Sequence, residues 1–307
     1  MSRIAFVFAG QGAQRLGMGQ DLRTNSQTVK RLFDMAEAKR SDLVSLMLNG
    51  PKDELDITVN TQPALFLADL ACAEALSEAG IRADGVAGFS LGEVPAACYA
   101  GLMDMSQAFD FVCFRAQAMQ ACTEKQKGAM FAVLRMSVAE VEGICAALGD
   151  GRQAFPANYN HTTQTVVACT EGAIEELQRR VSEAGGKTLR LAVSGAFHSP
   201  FMDEAAASIA NYLEKESLGD LCIPLYANVT GQIYENPKSL LARQVNHPVQ
   251  WQKTVENMIA DGFDVFIEVG PGKTLSGLIN KIDPAVRTYN VSDIGSLEDT
   301  MRELENA

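Results

Sequence analysis

The sequence predicts an α/β protein: a large domain built on a parallel sheet, with a small ferredoxin-like α+β domain inserted into it. Three observations carry this. Apolar runs ending at glycine alternate with helix-period segments over residues 1–125, the order a parallel sheet with right-handed crossovers requires. Residues 126–194 repeat the alternation on a smaller scale, as β-α-β-α-β. The chain has 307 residues, 47% of them apolar, enough for a full core in each unit without disulfides or a structural metal.

The elements follow in order. Ile4–Phe8 reads as a buried strand that breaks at the Gly10–Gly12 turn. Residues 63–79 have an amphipathic helical pattern, with Pro63 in the first turn and Gly80 past the end. Val86 and Ala87 form a short strand running into Gly88, and residues 91–100 and 106–122 read as helices. In the middle, 130–134, 165–169 and 187–193 are strand-like, and 137–148 and 171–184 are helical. Helices over 202–216 and 251–261 and a strand over 264–268 complete the pattern. The domains expected are therefore 1–125 with 195–307, and 126–194.

Composition excludes several classes of function. The 26 Lys and Arg against 38 Asp and Glu give a net charge of −12, which excludes a general nucleic-acid binder. The seven cysteines are odd in number and form no C-x-x-C pair, so reduced thiols in a cytoplasm are expected, with no metal site. The apolar run at the N-terminus is too short for a signal peptide, and no stretch is long enough to span a membrane. Only His161, His198 and His247 can supply an imidazole base.

The sharpest motif is Gly88-Phe89-Ser90-Leu91-Gly92, a G-x-S-x-G between a strand and a helix. This is the context of a hydrolase-like nucleophile elbow: the glycines permit a tight turn that lifts the serine out of the sheet. Ser90 then faces the free N–H groups of a helix start, which favour a developing oxyanion. A serine nucleophile needs a base, and spacing alone does not choose among the three histidines. Arg115 lies in an apolar helical stretch with no acid three or four residues away, so it either reaches solvent or clamps an anion. Two motifs fail. Gly10-x-Gly12-x-x-Arg15 lacks the third glycine of a dinucleotide fingerprint, and Gly272-Lys273-Thr274 lacks the earlier glycine of a phosphate loop.

Taken together, the motifs resemble the malonyl-CoA:acyl carrier protein transacylase family, and are similar to the acyltransferase domains of polyketide synthases. The resemblance runs the whole length, in family order. It rests on Phe6–Gly12, Thr61–Phe66, Gly88–Glu93, Arg115–Gln120, Gly128–Met130, Asn158–Asn160 with Gln164, Val193–Pro200, Asn228–Gly231, Pro248–Trp251 and Glu268–Gly272. It implies Ser90 as nucleophile and His198 as base. It implies Arg115 as the partner of the malonyl carboxylate, and the N–H groups of Gln11 and Leu91 as the oxyanion hole. Gln250 is implied as the residue that orients the histidine, and Phe197 as a filter against methylmalonyl groups. The chain departs from the family at Phe89, where a histidine is usual, and at Val94-Pro95, where Tyr-Ala is common.

The resemblance implies ping-pong transfer of malonyl from malonyl-CoA to the phosphopantetheine thiol of acyl carrier protein, without a cofactor, by a monomer. Two other readings are a serine thioesterase or hydrolase, which passes the acyl group to water, and an inactive scaffold. A trans-acting acyltransferase of a polyketide synthase is the nearest alternative. Acyl carrier proteins are acidic, so an acidic enzyme needs a local basic patch. Lys187, Arg190, Lys273 and Lys281 are the expected candidates.

Overall fold

The structure is a computed structural model and describes residues 2–193 and 195–306. Ser194, in the motif that leads to His198, lies outside the described residues. The strands are β1 (Arg3–Phe8), β2 (Gly85–Gly88), β3 (Gly128–Leu134), β4 (Ala154–His161), β5 (Gln164–Thr170), β6 (Lys187–Arg190), β7 (Leu225–Tyr226), β8 (Phe263–Val269) and β9 (Arg287–Val291). They form two sheets, of order β7-β2-β1-β8-β9 and β4-β5-β3-β6. The first is parallel throughout. In its central strand Ala5 to Phe8 are fully buried, as expected where helices cover both faces.

The helix Thr58–Glu78 packs against this sheet and differs from the amphipathic helix expected over 63–79. It is buried almost all round, and Pro63 lies inside it. Proline cannot donate to the carbonyl of Val59 one turn back. The Arg40 guanidinium donates to that oxygen instead, at 2.6 Å, so the helix continues through the proline. Pro95 is likewise harmless. The elbow opens as a 3₁₀ turn, Ser90–Gly92, and Pro95 is third in the helix Glu93–Tyr99, where its missing N–H would have no partner in that helix.

The second sheet is antiparallel, with order β-α-β-β-α-β along the chain, one strand more than the sequence suggested. The added strand is β4. Its Pro156, Asn158, Tyr159 and Asn160 give no apolar alternation. It survives as an edge strand with shifts in register, where proline and polar side chains are tolerated. β4 is also tied to the segment before the helix Trp251–Ala260: Tyr159 N–H donates to the Val249 carbonyl (2.9 Å), and Val249 N–H to that of Ala157 (2.8 Å). β6 stops at Arg190, short of the expected 193, and the chain then turns toward His198.

No helix among the described residues is long and apolar enough to cross a membrane. Among the same residues no group of three or more His, Cys, Asp or Glu could hold a metal ion.

Candidate active site

β2 ends at Gly88, and the chain turns at once into the helix that starts after Ser90. The turn is so tight that a Cβ on Gly88 would lie 2.0 Å from the Gly92 carbonyl carbon, and one on Gly92 would lie 2.2 Å from the Phe8 oxygen. Only glycine fits either position. Ser90 pays with a left-handed backbone, φ 53°. Two hydrogen bonds from Asn228 hold that conformation. Its Oδ1 accepts the Ser90 N–H at 2.8 Å, and its Nδ2 donates to the Gly88 carbonyl at 2.6 Å.

His198 comes from the loop after β6 and has the same unusual backbone, φ 58°. Its Nε2 lies 2.6 Å from Ser90 Oγ. Its Nδ1 faces two carbonyl oxygens, those of Gln244 (2.9 Å) and His247 (3.2 Å). Carbonyls only accept, so Nδ1 carries the proton and Nε2 presents its lone pair to the serine hydroxyl. His161 and His247 take no part in this contact. The first ends β4, and the second turns its Nδ1 to the Arg243 carbonyl.

The Gln250 assignment is corrected. Its N–H donates to the Asn228 carbonyl and its own carbonyl accepts from Thr254, so it begins the helix Trp251–Ala260 and does not touch His198. The carbonyls that orient the imidazole belong to Gln244 and His247. Two glutamines six positions apart, both flanking the histidine-containing loop, cannot be told apart by spacing.

Burial pulls the His198 pKa down to about 4, and the nearby Arg115 cation adds to this. The imidazole is therefore a neutral base over the whole physiological range. The acid limb of kcat/KM for serine acylation should then inflect near pH 4, not near the ordinary histidine value of about 6.5. An inflection at the ordinary value would show the base to be solvated. The unfolded chain protonates this histidine first, so its contribution to stability is present above about pH 6.5 and is lost as pH falls toward 4.

Arg115 is 1% exposed, on the helix Met105–Lys125. It does not reach solvent, and among the described residues no carboxylate is hydrogen-bonded to it. Its Nη1 donates to Gln62 Oε1 (2.6 Å) and its Nη2 to Gln244 Oε1 (2.7 Å). Each of these nitrogens has a second N–H to offer an incoming carboxylate. Burial lowers its pKa to about 10, opposed by the buried Glu93, so it remains a cation at neutral pH. A buried cation held by neutral amides keeps both its charge and free N–H groups available to an anion.

Gln244 is the residue that sequence reasoning most clearly missed. Besides its contacts with His198 and Arg115, its Nε2 donates to the Ser90 carbonyl and, at 3.0 Å, to Glu93 Oε2. Glu93 is fully buried and also accepts from Tyr234 Oη and the Asn228 N–H. Asn228, Glu93 and Gln62 all stand inside the recognised motifs, yet residue type alone gave them no task.

Leu91 is buried in the first turn after Ser90, where main-chain N–H groups lack helical acceptors. The Gln11 segment is pressed against the elbow: a Cβ on Gly10 would lie 2.6 Å from the Phe89 oxygen. The Gln11 side chain points away from the serine turn to Thr58 Oγ1, at 3.3 Å. Phe197 is buried directly before His198, its ring against Gly195. Phe89 packs edge-on against Trp251, ring centroids 5.3 Å apart. A cavity of about 470 Å³ opens beside the elbow, lined by Gln11, Phe89, Asn160, Gln164, Lys273 and Lys281 among others.

A part-buried serine paired with a buried histidine, near a buried cation held by neutral amides, is equipped to transfer a charged acyl group through the serine. Comparison with known proteins agrees. The family profile described as "Acyl transferase domain" matches residues 5–296. The malonyl CoA-acyl carrier protein transacylase of Bacillus subtilis (strain 168) is 36% identical over 304 residues, 97% of this chain and 96% of that protein. The solved malonyl CoA-acyl carrier protein transacylase of Clostridium perfringens superposes with a TM-score of 0.95 at 35% identity, covering 99% of this chain and 98% of that one. A malonyl-transacylase solved in complex with its type II PKS acyl-carrier protein gives 0.94 at 34% identity, covering 98% and 100%. Sequence, fold and elbow converge, and the chain belongs to the acyl transferase family as an acyltransferase enzyme.

Proposed function

We propose that this enzyme moves a malonyl group from malonyl-CoA to the phosphopantetheine thiol of an acyl carrier protein, through a malonyl-Ser90 intermediate. The observation that carries this reading is Arg115: a buried cation that donates to two glutamine oxygens, one of them on Gln244, whose main chain and side chain also contact His198 and Ser90.

His198 Nε2 takes the Ser90 proton as Oγ attacks the thioester carbonyl carbon. The Gln11 and Leu91 N–H groups receive the oxyanion. The C–S bond then breaks, and the proton on His198 passes to the CoA sulfur. Arg115 holds the malonyl carboxylate while CoA is exchanged for the carrier. The carrier thiol gives its proton to His198 and attacks the ester carbonyl; the bond to Ser90 Oγ breaks, and the proton on His198 returns to that oxygen. No cofactor takes part. The cytoplasm suits its free thiols, and the Ser90–His198 pair lies within a single chain, which suits a monomer.

Intact-mass measurement after mixing with malonyl-CoA tests the proposal. One malonyl group should appear on Ser90 and leave on addition of phosphopantetheinylated carrier protein. CoA release that continues without carrier beyond a single equivalent per enzyme would favour a hydrolase, and neither adduct nor CoA release would favour an inactive scaffold. Methylmalonyl-CoA should label Ser90 about tenfold more slowly, because the buried Phe197 ring leaves little room for an α-methyl. Equal labelling by the two thioesters would remove Phe197 from the selectivity.

The carrier has to dock on a chain of net charge −12. Lys273 and Lys281 line the cavity beside the elbow, and Lys187 and Arg190 lie on the edge strand β6 with Leu189, 47% exposed, between them. This combination of cations and an apolar side chain suits an acidic carrier helix. The double variant Lys187→Glu/Arg190→Glu should raise the carrier KM about tenfold with little change in malonyl-Ser90 formation. An unaltered carrier KM would place docking elsewhere. A carrier from polyketide assembly, as in the solved relative, is the second reading and uses the same steps.

A further inference from the structure

Arg115 is not the only charge in the buried site. Glu93 is 0% exposed and lies one glutamine away from it. Gln244 bridges the two: its Nε2 donates to Glu93 Oε2 (3.0 Å), and its Oε1 accepts from Arg115 Nη2 (2.7 Å). The amide dipole is thus aligned between an acid and a base, and a charge on one is felt at the other. An acyl carboxylate arriving at Arg115 becomes a second anion competing for the same cation.

We infer that Glu93 sets the acyl selectivity of the enzyme: its charge state decides how strongly Arg115 favours a carboxylate-bearing acyl group over a neutral one. This rests on the malonyl reading above. Glu93 is a positioning residue, since it acts through Gln244 and Arg115 and touches no reacting atom.

The charged or titratable groups around Glu93 are Tyr234, which donates to Oε1, and Arg115, with His198 beyond them. Tyr234 is held neutral by burial, with the acid beside it adding to the effect. His198 is neutral above about pH 4. Arg115 stays protonated below about 10. Between those limits Glu93 alone changes charge: burial pushes its pKa up to about 7, against the hydrogen bonds from Tyr234, Gln244 and the Asn228 N–H. Below that point the site carries one uncompensated positive charge and should favour malonyl most strongly. Above it Glu93 neutralises part of that charge, and the preference should weaken.

The test is the ratio of kcat/KM for malonyl-CoA to that for acetyl-CoA, measured between pH 5.5 and 8.5 on the full chain, a range around the value of about 7. In a ping-pong scheme each kcat/KM reports acylation alone, and the ratio cancels any titration common to both substrates. The ratio should fall about tenfold as pH rises, with a midpoint near 7. In Glu93→Gln it should be flat and high. In Tyr234→Phe, which removes a donor to the carboxylate, the midpoint should move to higher pH.

A flat wild-type ratio overturns the inference, as does a slope that persists in Glu93→Gln. If Glu93→Gln fails to fold, Tyr234→Phe decides: an unmoved midpoint overturns it. These outcomes differ from failure of the malonyl reading itself, in which malonyl-CoA leaves no adduct on Ser90 at any pH.

Discussion

Ser90→Ala should lower malonyl transfer by a factor on the order of 10⁵ and leave no acyl adduct on the protein. The change removes one oxygen and nothing else. His198 keeps its two carbonyl partners, and the elbow keeps the Asn228 bracket at Gly88 and at the residue 90 N–H. The fold should therefore be intact, and the loss should fall on kcat. Stopped-flow CoA release with intact-mass analysis measures both quantities. Transfer within tenfold of wild type would mean that a different group attacks the thioester, and the Ser90–His198 pair would lose its role.

Arg115→Ala should invert selectivity. In the proposed mechanism the wild-type cation stabilises the malonyl carboxylate, and a neutral acyl group leaves that cation without an anion. Removing it should cut kcat/KM for malonyl-CoA by about 10³ while acetyl-CoA changes by less than about tenfold. The substitution also strands the oxygens of Gln62 and Gln244 and opens a cavity, so a lower Tm is expected as well. Arg115→Lys is the informative companion. It keeps the charge but loses the fork that reaches both glutamines, so binding should recover only in part. An unchanged malonyl-to-acetyl ratio in the alanine variant would remove Arg115 from the acyl site.

The two predictions differ in how far the sequence led to them. Ser90 was legible because its chemistry is local: two glycines, a strand before and a helix after lie within a few residues. From its own surroundings Arg115 is legible only as a question, an arginine in an apolar stretch with no acid within reach, to which the resemblance adds a malonyl carboxylate as the implied partner. Its answer came from Gln62 and Gln244, which stand 53 and 129 positions away. Spacing leaves the base open among three histidines, the resemblance implies His198, and geometry puts its Nε2 2.6 Å from Ser90 Oγ. The orienting residue was misplaced on Gln250 for a related reason. The groups that orient the imidazole are main-chain carbonyls, and every residue has one.

By itself the sequence determined the α/β class, the parallel sheet, the elbow and the membership of a chemical family. The first three rest on periodicity and short-range sterics, which act between neighbours along the chain, and the last on the resemblance of ordered motifs to a known family. Tertiary structure alone decided that the helix holding Pro63 runs on past it, that β4 pairs at an edge, and that Glu93, Gln244 and Arg115 form one buried charge system. The physical reason is the same in each case. An unpaired buried polar group is costly wherever its partner lies in sequence, so the partner is chosen by proximity in space.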